Sequence, residues 1–255
     1  MSVAAWAEMA ARAGLDALDL SIAFVPDRSE RAVSALRRDI ASAGMSVAML
    51  TTYPDFTHPD PARRERELAL AEETVRVAAG LGARLLRVTA GQAYPETGRE
   101  EGISWAVEGL TRLAERTARS GVTLVYENHA KPFVWQYTDF SQPPEVFVEI
   151  VRRTAGTGLG VNFDTANATA FADDPLALLE QVIDRVVSIH AADTSARGAL
   201  KMVLLGTGRV PFAAIFRRLK RAGFIGWVCM EEGSFQGEEG VRAAARYIRE
   251  TWETA

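Results

Sequence analysis

Val122-Thr123-Leu124-Val125-Tyr126-Glu127 stays apolar or β-branched until its last residue, a carboxylate, and a polar loop follows at once. Three later stretches repeat that form: Leu159-Gly160-Val161-Asn162-Phe163-Asp164, Arg185-Val186-Val187-Ser188-Ile189-His190 and Trp227-Val228-Cys229-Met230-Glu231. Parallel strands covered on both faces read as nearly continuous apolar runs, so a titratable group at each terminus has positional meaning. If the strands close into one barrel, all four groups reach one rim. Three carboxylates and one imidazole gathered there would make a divalent-metal site.

Outward from these strands the chain alternates helix and strand. Strands are expected over residues 17–22, 46–51, 84–89, 122–127, 159–164, 185–190 and 226–231, with helical periodicity between them, as over residues 63–79 and 101–119. Glycine closes the preceding helix at Gly14, Gly44, Gly82, Gly121 and Gly223, each just before a strand. Helix-to-strand joins are short, whereas strand-to-helix joins such as residues 52–56, 91–95 and 130–144 are long and rich in proline and aromatics. A (β/α)8 barrel builds its active site from such strand-to-helix loops. A doubly wound sheet would place ligands there too, but no Gly-x-Gly-x-x-Gly follows the first strand of either half. The reading is one TIM barrel domain over residues 1–255. Seven strands are counted and the chain opens inside a helix, so the first strand is missing and a truncated start is expected. Two unpaired edges would favour a homo-oligomer.

Bulk properties agree. The chain has 48% hydrophobic and 24% charged residues, as a globular protein with a core does. Its net charge of −4 advertises no nucleic-acid partner. Cys229 is the one cysteine, excluding an intrachain disulfide and suiting a reducing cytoplasm. No stretch approaches the ~18–20 apolar residues of a membrane helix. Glu8 and Arg12 interrupt the N-terminal apolar run, so it does not read as a secretory signal. A cytoplasmic location without membrane contact is expected.

Strand alternation sets the inward face. With Glu127 go Val125 and Thr123; with Asp164, Asn162; with His190, Ser188; with Glu231, Cys229. The other parity holds Leu124, Tyr126, Val161, Phe163, Val187, Ile189, Val228 and Met230, expected under the helices. A mostly oxygen donor set favours Mn2+, Mg2+ or Co2+, with Zn2+ also admissible. Only His58, His129 and His190 exist, so a histidine-rich multinuclear zinc centre cannot be assembled.

The ordered set Tyr126-Glu127-Asn128-His129, Asn162-Phe163-Asp164-Thr165-Ala166-Asn167, Ser188-Ile189-His190-Ala191-Ala192-Asp193 and Met230-Glu231 resembles the xylose isomerase-like barrel superfamily, of the sugar phosphate isomerase/epimerase type. The resemblance runs from Trp6 to Trp252. It implies that Glu127, Asp164, His190 and Glu231 bind the metal, and that Glu127 and Glu231 serve as the acid/base pair. The implied reaction is isomerisation or epimerisation of a sugar, sugar phosphate or related polyol ketone, by proton abstraction next to a metal-bound carbonyl. A dehydratase of the inosose or dehydroshikimate type is the alternative, and a non-catalytic barrel the third; a DNA-repair endonuclease of this barrel type is disfavoured by the acidic balance and the few histidines. Asn167, Ala192 and Thr207 stand where the family often has histidine, lysine and glutamate. His129, Asn167 and Arg197 are the candidate substrate contacts. Arg87, inside an apolar strand, needs a partner if buried. Phe133, Trp135, Tyr137 and Phe140 are candidates for an aromatic lid or for packing the loop onto the barrel.

Overall fold

In the computed structural model, which describes residues 1–132 and 134–255, seven parallel strands form a nearly closed barrel. They are β1 (Leu18–Ser21), β2 (Val47–Thr51), β3 (Leu85–Val88), β4 (Thr123–Glu127), β5 (Gly160–Asp164), β6 (Val186–Ala191) and β7 (Trp227–Met230), each paired with its sequence neighbour. The TIM-barrel expectation and its missing strand both hold. Nothing among the described residues pairs β7 back to β1, and the seam between them carries a cavity of about 430 Å³ walled by Phe224, Trp227, Ile248 and Trp252.

Around the barrel lie α1 (Val3–Arg12), α2 (Glu30–Ser42), α3 (Pro61–Leu81), α4 (Arg99–Thr117), α5 (Pro144–Arg153), α6 (Thr165–Phe171), α7 (Pro175–Val182), α8 (Phe212–Arg221) and α9 (Gly237–Thr254). The glycine joins behave as expected. Gly82 takes φ 81° and closes α3, a conformation costly for any residue with a Cβ. Gly91 has a second reason: a Cβ there would come within 2.3 Å of Thr57 Oγ1, so glycine lets two rim loops touch. No helix is long and apolar enough to cross a membrane, among the described residues.

The main core lies between strands and helices, where Leu124, Tyr126, Val161, Phe163 and Ile189 pack as their parity requires. A smaller cluster of Met49, Leu85, Val125 and Cys229 fills the barrel interior. Val187 corrects the sequence reading: it packs against that interior cluster, not under the helices. The β5–β6 register slips between Val161 and Asn162, so Val161 pairs with Val186 while Asn162 pairs with Ser188. A bulge of this kind breaks the two-residue alternation, and a sequence pattern cannot show it.

Candidate metal centre

One inward-facing layer further along the same strands, the interior turns from apolar to ionic. Two residues after Leu85, Val125 and Cys229 come Arg87, Glu127 and Glu231. Glu127, Asp164 and His190 each offer a ligand atom within 4.8 Å of the others, all three buried. Glu231, just past β7, reaches the group through His190: its Oε1 lies 3.1 Å from His190 Nδ1. Its side chain is 45% exposed against 1% for Glu127, so it forms the open wall of the site.

Each ligand candidate is held by strand and helix geometry. Asp164 ends β5 and also caps α6, its Oδ1 accepting the Asn167 backbone N–H at 2.5 Å. Its own backbone is pinned by the Asn128 side chain, whose Oδ1 accepts from Asp164 N and whose Nδ2 donates to Asp164 O. Glu127 Oε1 accepts from Asn162 Nδ2 at 3.0 Å, and Ser188 Oγ donates to Asn162 Oδ1 at 2.7 Å. Glu127 Oε2 forms an ion pair with Arg87 Nε at 3.1 Å. The Arg87 guanidinium also donates to Thr52 O and stacks 4.3 Å over the Tyr53 ring. Arg87 therefore has the partner that its burial demanded.

His190 is decisive for what the site holds. Its Nε2 lies 2.8 Å from Asp19 Oδ2, an acceptor only, so Nε2 carries the proton. Its Nδ1 faces two more carboxylate oxygens, Glu127 Oε1 at 2.5 Å and Glu231 Oε1 at 3.1 Å, yet has no hydrogen bond of good geometry. A lone pair aimed at carboxylate oxygens is repelled unless a proton or a cation lies between. Four carboxylates (Asp19, Glu127, Asp164 and Glu231) here surround one guanidinium and one imidazole. The residues present fit a divalent ion.

The same imbalance shifts the titration of each group. Asp164 is held well above the usual carboxylate range by burial and by the charges of Glu231 and Glu127. For His190 burial opposes the charged form, but Glu127 and Glu231 outweigh it and raise the imidazole well above its ordinary value. Glu127 and Glu231 move down although desolvation opposes their charge, because His190 faces both and Arg87 adds to it. A raised folded value stabilises below the unfolded one and is lost as pH rises through it; the two lowered glutamates act oppositely, losing stability only on acidification below about pH 4.5. Metal-free protein should therefore lose stability as pH rises, the Asp164 share from about pH 4 and the His190 share from about pH 6.5, because the unfolded chain gives up those protons there while the folded groups still hold them. Melting in EDTA at pH 6 and pH 9 checks this. Asp164→Asn should raise the metal-free Tm at pH 9, since it removes a buried carboxylate whose charge is opposed by burial and by Glu231 and Glu127. An unchanged or lower Tm would contradict the charge argument.

The substrate candidates divide. Asn167 is buried beside Asp164, and its Oδ1 has no partner among the described residues. His129 sits next to the site, edge-on to Tyr53 and Trp135, with Nδ1 3.6 Å from Asp139 Oδ2. Arg197 is not brought to the metal group. Its guanidinium donates to Ala172 O and Asp173 O and borders a separate cavity of about 350 Å³ with Thr169 and Arg209. Among the loop aromatics, Phe140 is buried against Gly102, Trp135 packs on His129 and Tyr137 on Tyr94, which is loop packing; Phe133 lies outside the described residues. The Gly206-Thr207-Gly208 turn wraps Asp193, whose Oδ2 accepts both glycine N–H groups at 2.9 Å. Sequence reasoning missed Asp19. Its signal was an aspartate at the inward parity of Leu18-Asp19-Leu20, between two residues that pack outward.

Comparison with known proteins agrees with this fold. A putative L-ribulose-5-phosphate 3-epimerase of Escherichia coli K12 is 26% identical over 89% of this chain and 77% of its own length. A putative hydroxypyruvate isomerase of Streptomyces coelicolor is 29% identical over 94% and 90%. An inosose dehydratase of Geobacillus thermodenitrificans is 24% identical over 60% and 55%. Among solved structures, D-psicose 3-epimerase with D-tagatose from Clostridium cellulolyticum H10 superposes with TM-score 0.81 at 17% identity, covering 99% of this chain and 94% of that one. The IOLI protein with a zinc atom does so with TM-score 0.81 at 18% identity, over 97% and 91%. At these identities the structural likeness establishes the fold. The family described as xylose isomerase-like TIM barrel matches residues 7–251, and the chain belongs to it.

Proposed function

We propose that this protein is a divalent-metal-dependent isomerase or epimerase of a small carbohydrate: a ketose, a ketose phosphate or a related polyol ketone. The observation that carries the reading is the unsatisfied His190 Nδ1 facing Glu127 and Glu231 with Asp164 alongside. Glu127, Asp164, His190 and Glu231 would hold the ion. The oxygen-rich set favours Mn2+, Mg2+ or Co2+, and the zinc in the IOLI protein keeps Zn2+ admissible. When bound, such an ion supplies Lewis-acid stabilisation of negative charge developing on substrate oxygens.

This chain's residues do the proton work. Glu231, on the open wall, removes the proton from the carbon next to the substrate carbonyl. In an epimerase Glu127 returns one to the opposite face. In an isomerase Glu231 alone moves the proton within one face. Asp164 and His190 hold, and Asn167 and His129 contact substrate hydroxyls. The inosose dehydratase likeness supports a second reading, in which Glu231 removes the same proton and the β-hydroxyl then leaves as water, taking its proton from the second glutamate, Glu127.

The test is metal analysis of the purified protein, then incubation of ketoses, ketose phosphates and inososes with the EDTA-stripped and Mn2+-reloaded protein. Expected are turnover that depends on metal and solvent deuterium entering the product. An enone absorbance would assign the dehydratase instead. Absence of metal binding would overturn both.

A further inference from the structure

We propose that Asp19 is a positioning residue of the metal centre: by accepting the Nε2–H of His190 it fixes the imidazole so that Nδ1 faces Glu127 and Glu231. The inference rests on the metal-dependent reading above. Asp19 lies on β1, the edge strand at the open seam, while its partner lies 171 residues later on β6. The contact therefore crosses the barrel interior and is no by-product of strand pairing: among the described residues β1 pairs only with β2. Leu18 and Leu20 pack outward under the helices, which turns Asp19 inward.

The chemistry of the pair sets the role. An imidazole has two nitrogens, and the hydrogen bond made by one decides which can serve as ligand. A carboxylate at Nε2 accepts only, so it selects the Nε2–H form and leaves the Nδ1 lone pair free. It also orients the ring, because a bond of 2.8 Å constrains rotation about both χ angles. A carboxylate partner behind a ligating histidine typically accounts for 10–100-fold in metal affinity. Among the described residues nothing else holds the ring in that sense: Glu127 and Glu231 are at the ligand face, and the neighbouring Cys229 thiol is beside Asp19 and offers no charge. The other carboxylate oxygen, Asp19 Oδ1, is buried without a hydrogen-bond partner among the described residues.

The experiment titrates Mn2+ and Zn2+ into metal-free wild type, Asp19→Ala and Asp19→Asn by calorimetry, with melting in EDTA as the check on folding. Asp19→Ala should bind Mn2+ about 10–100-fold more weakly. Asp19→Asn, whose side-chain oxygen can still accept, should fall between. With three histidines in the chain, the His190 ring N–H is resolvable by 15N NMR of the Zn2+-loaded protein. A slowly exchanging Nε2–H is expected in wild type and its loss in Asp19→Ala. Wild type that binds neither ion would overturn the functional proposal itself. Wild type that binds, with folded Asp19→Ala binding as tightly and keeping the protected Nε2–H, would overturn the role of Asp19 alone.

Discussion

Glu231→Gln should reduce kcat by roughly 10²–10⁴-fold, the range for loss of a positioned general acid or base. The variant should fold normally. Glu231 follows the last residue of β7, its side chain is 45% exposed, and its position in the strand is set by its backbone N–H donating to Ala191 O at 2.9 Å. Glutamine keeps the shape and loses both the charge facing His190 Nδ1 and the basic oxygen. Two readouts separate these losses. Mn2+ affinity should fall, because one anionic oxygen leaves the donor set. Turnover at saturating Mn2+ should stay low, because added ion replaces no base. Deuterium exchange at the substrate carbon should be lost together with turnover. Full turnover with full metal content in this variant would sink the assignment. Full turnover only at high Mn2+ would make Glu231 a holder and move the proton chemistry to Glu127.

How much of this could be read before any coordinates depends on the signal each residue leaves. Glu127, Asp164, His190 and Glu231 were legible because an interior barrel position is periodic by two, and a titratable group ending an apolar run breaks the pattern visibly. Arg87 was legible as a problem, a charge inside an apolar strand, though not as Glu127's partner. Asp19 left a weaker mark, since a four-residue strand alternating apolar and polar also reads as half-exposed. Val187 was misplaced because the slip between Val161 and Asn162 depends on packing, not on local sequence. Arg197 went astray for another reason. The loop after β6 folds back on the end of α6, where Arg197 meets the carbonyls of Ala172 and Asp173. The pairing of Asp193–Thr194 with Met202–Val203 inside that loop is too short to show a period. Periodicity locates residues on regular elements; a loop's path is set by contacts distant in sequence.

Arg87→Met should destabilise the metal-free protein by about 3–5 kcal/mol, the cost of leaving one member of a buried ion pair uncompensated. At about 2–4 °C per kcal/mol this lowers Tm by roughly 6–20 °C. The two side chains are 3% and 1% exposed, so water cannot take over the missing charge. Methionine approximates the aliphatic stem and can still pack on Tyr53, which leaves charge as the main difference. Two additions distinguish this from a plain packing defect. The double variant Arg87→Met/Glu127→Gln should recover most of the lost stability, because the buried carboxylate that needed Arg87 is gone while Asn162 still has an oxygen to bond. Mn2+ should raise the Tm of Arg87→Met more than that of wild type, because a cation beside Glu127 supplies part of what the guanidinium did. A double variant no more stable than Arg87→Met would show that Arg87 acts through its bond to Thr52 and its stacking on Tyr53 and not through Glu127. In that event His190 would be left as the one cation set directly against the carboxylates of the site.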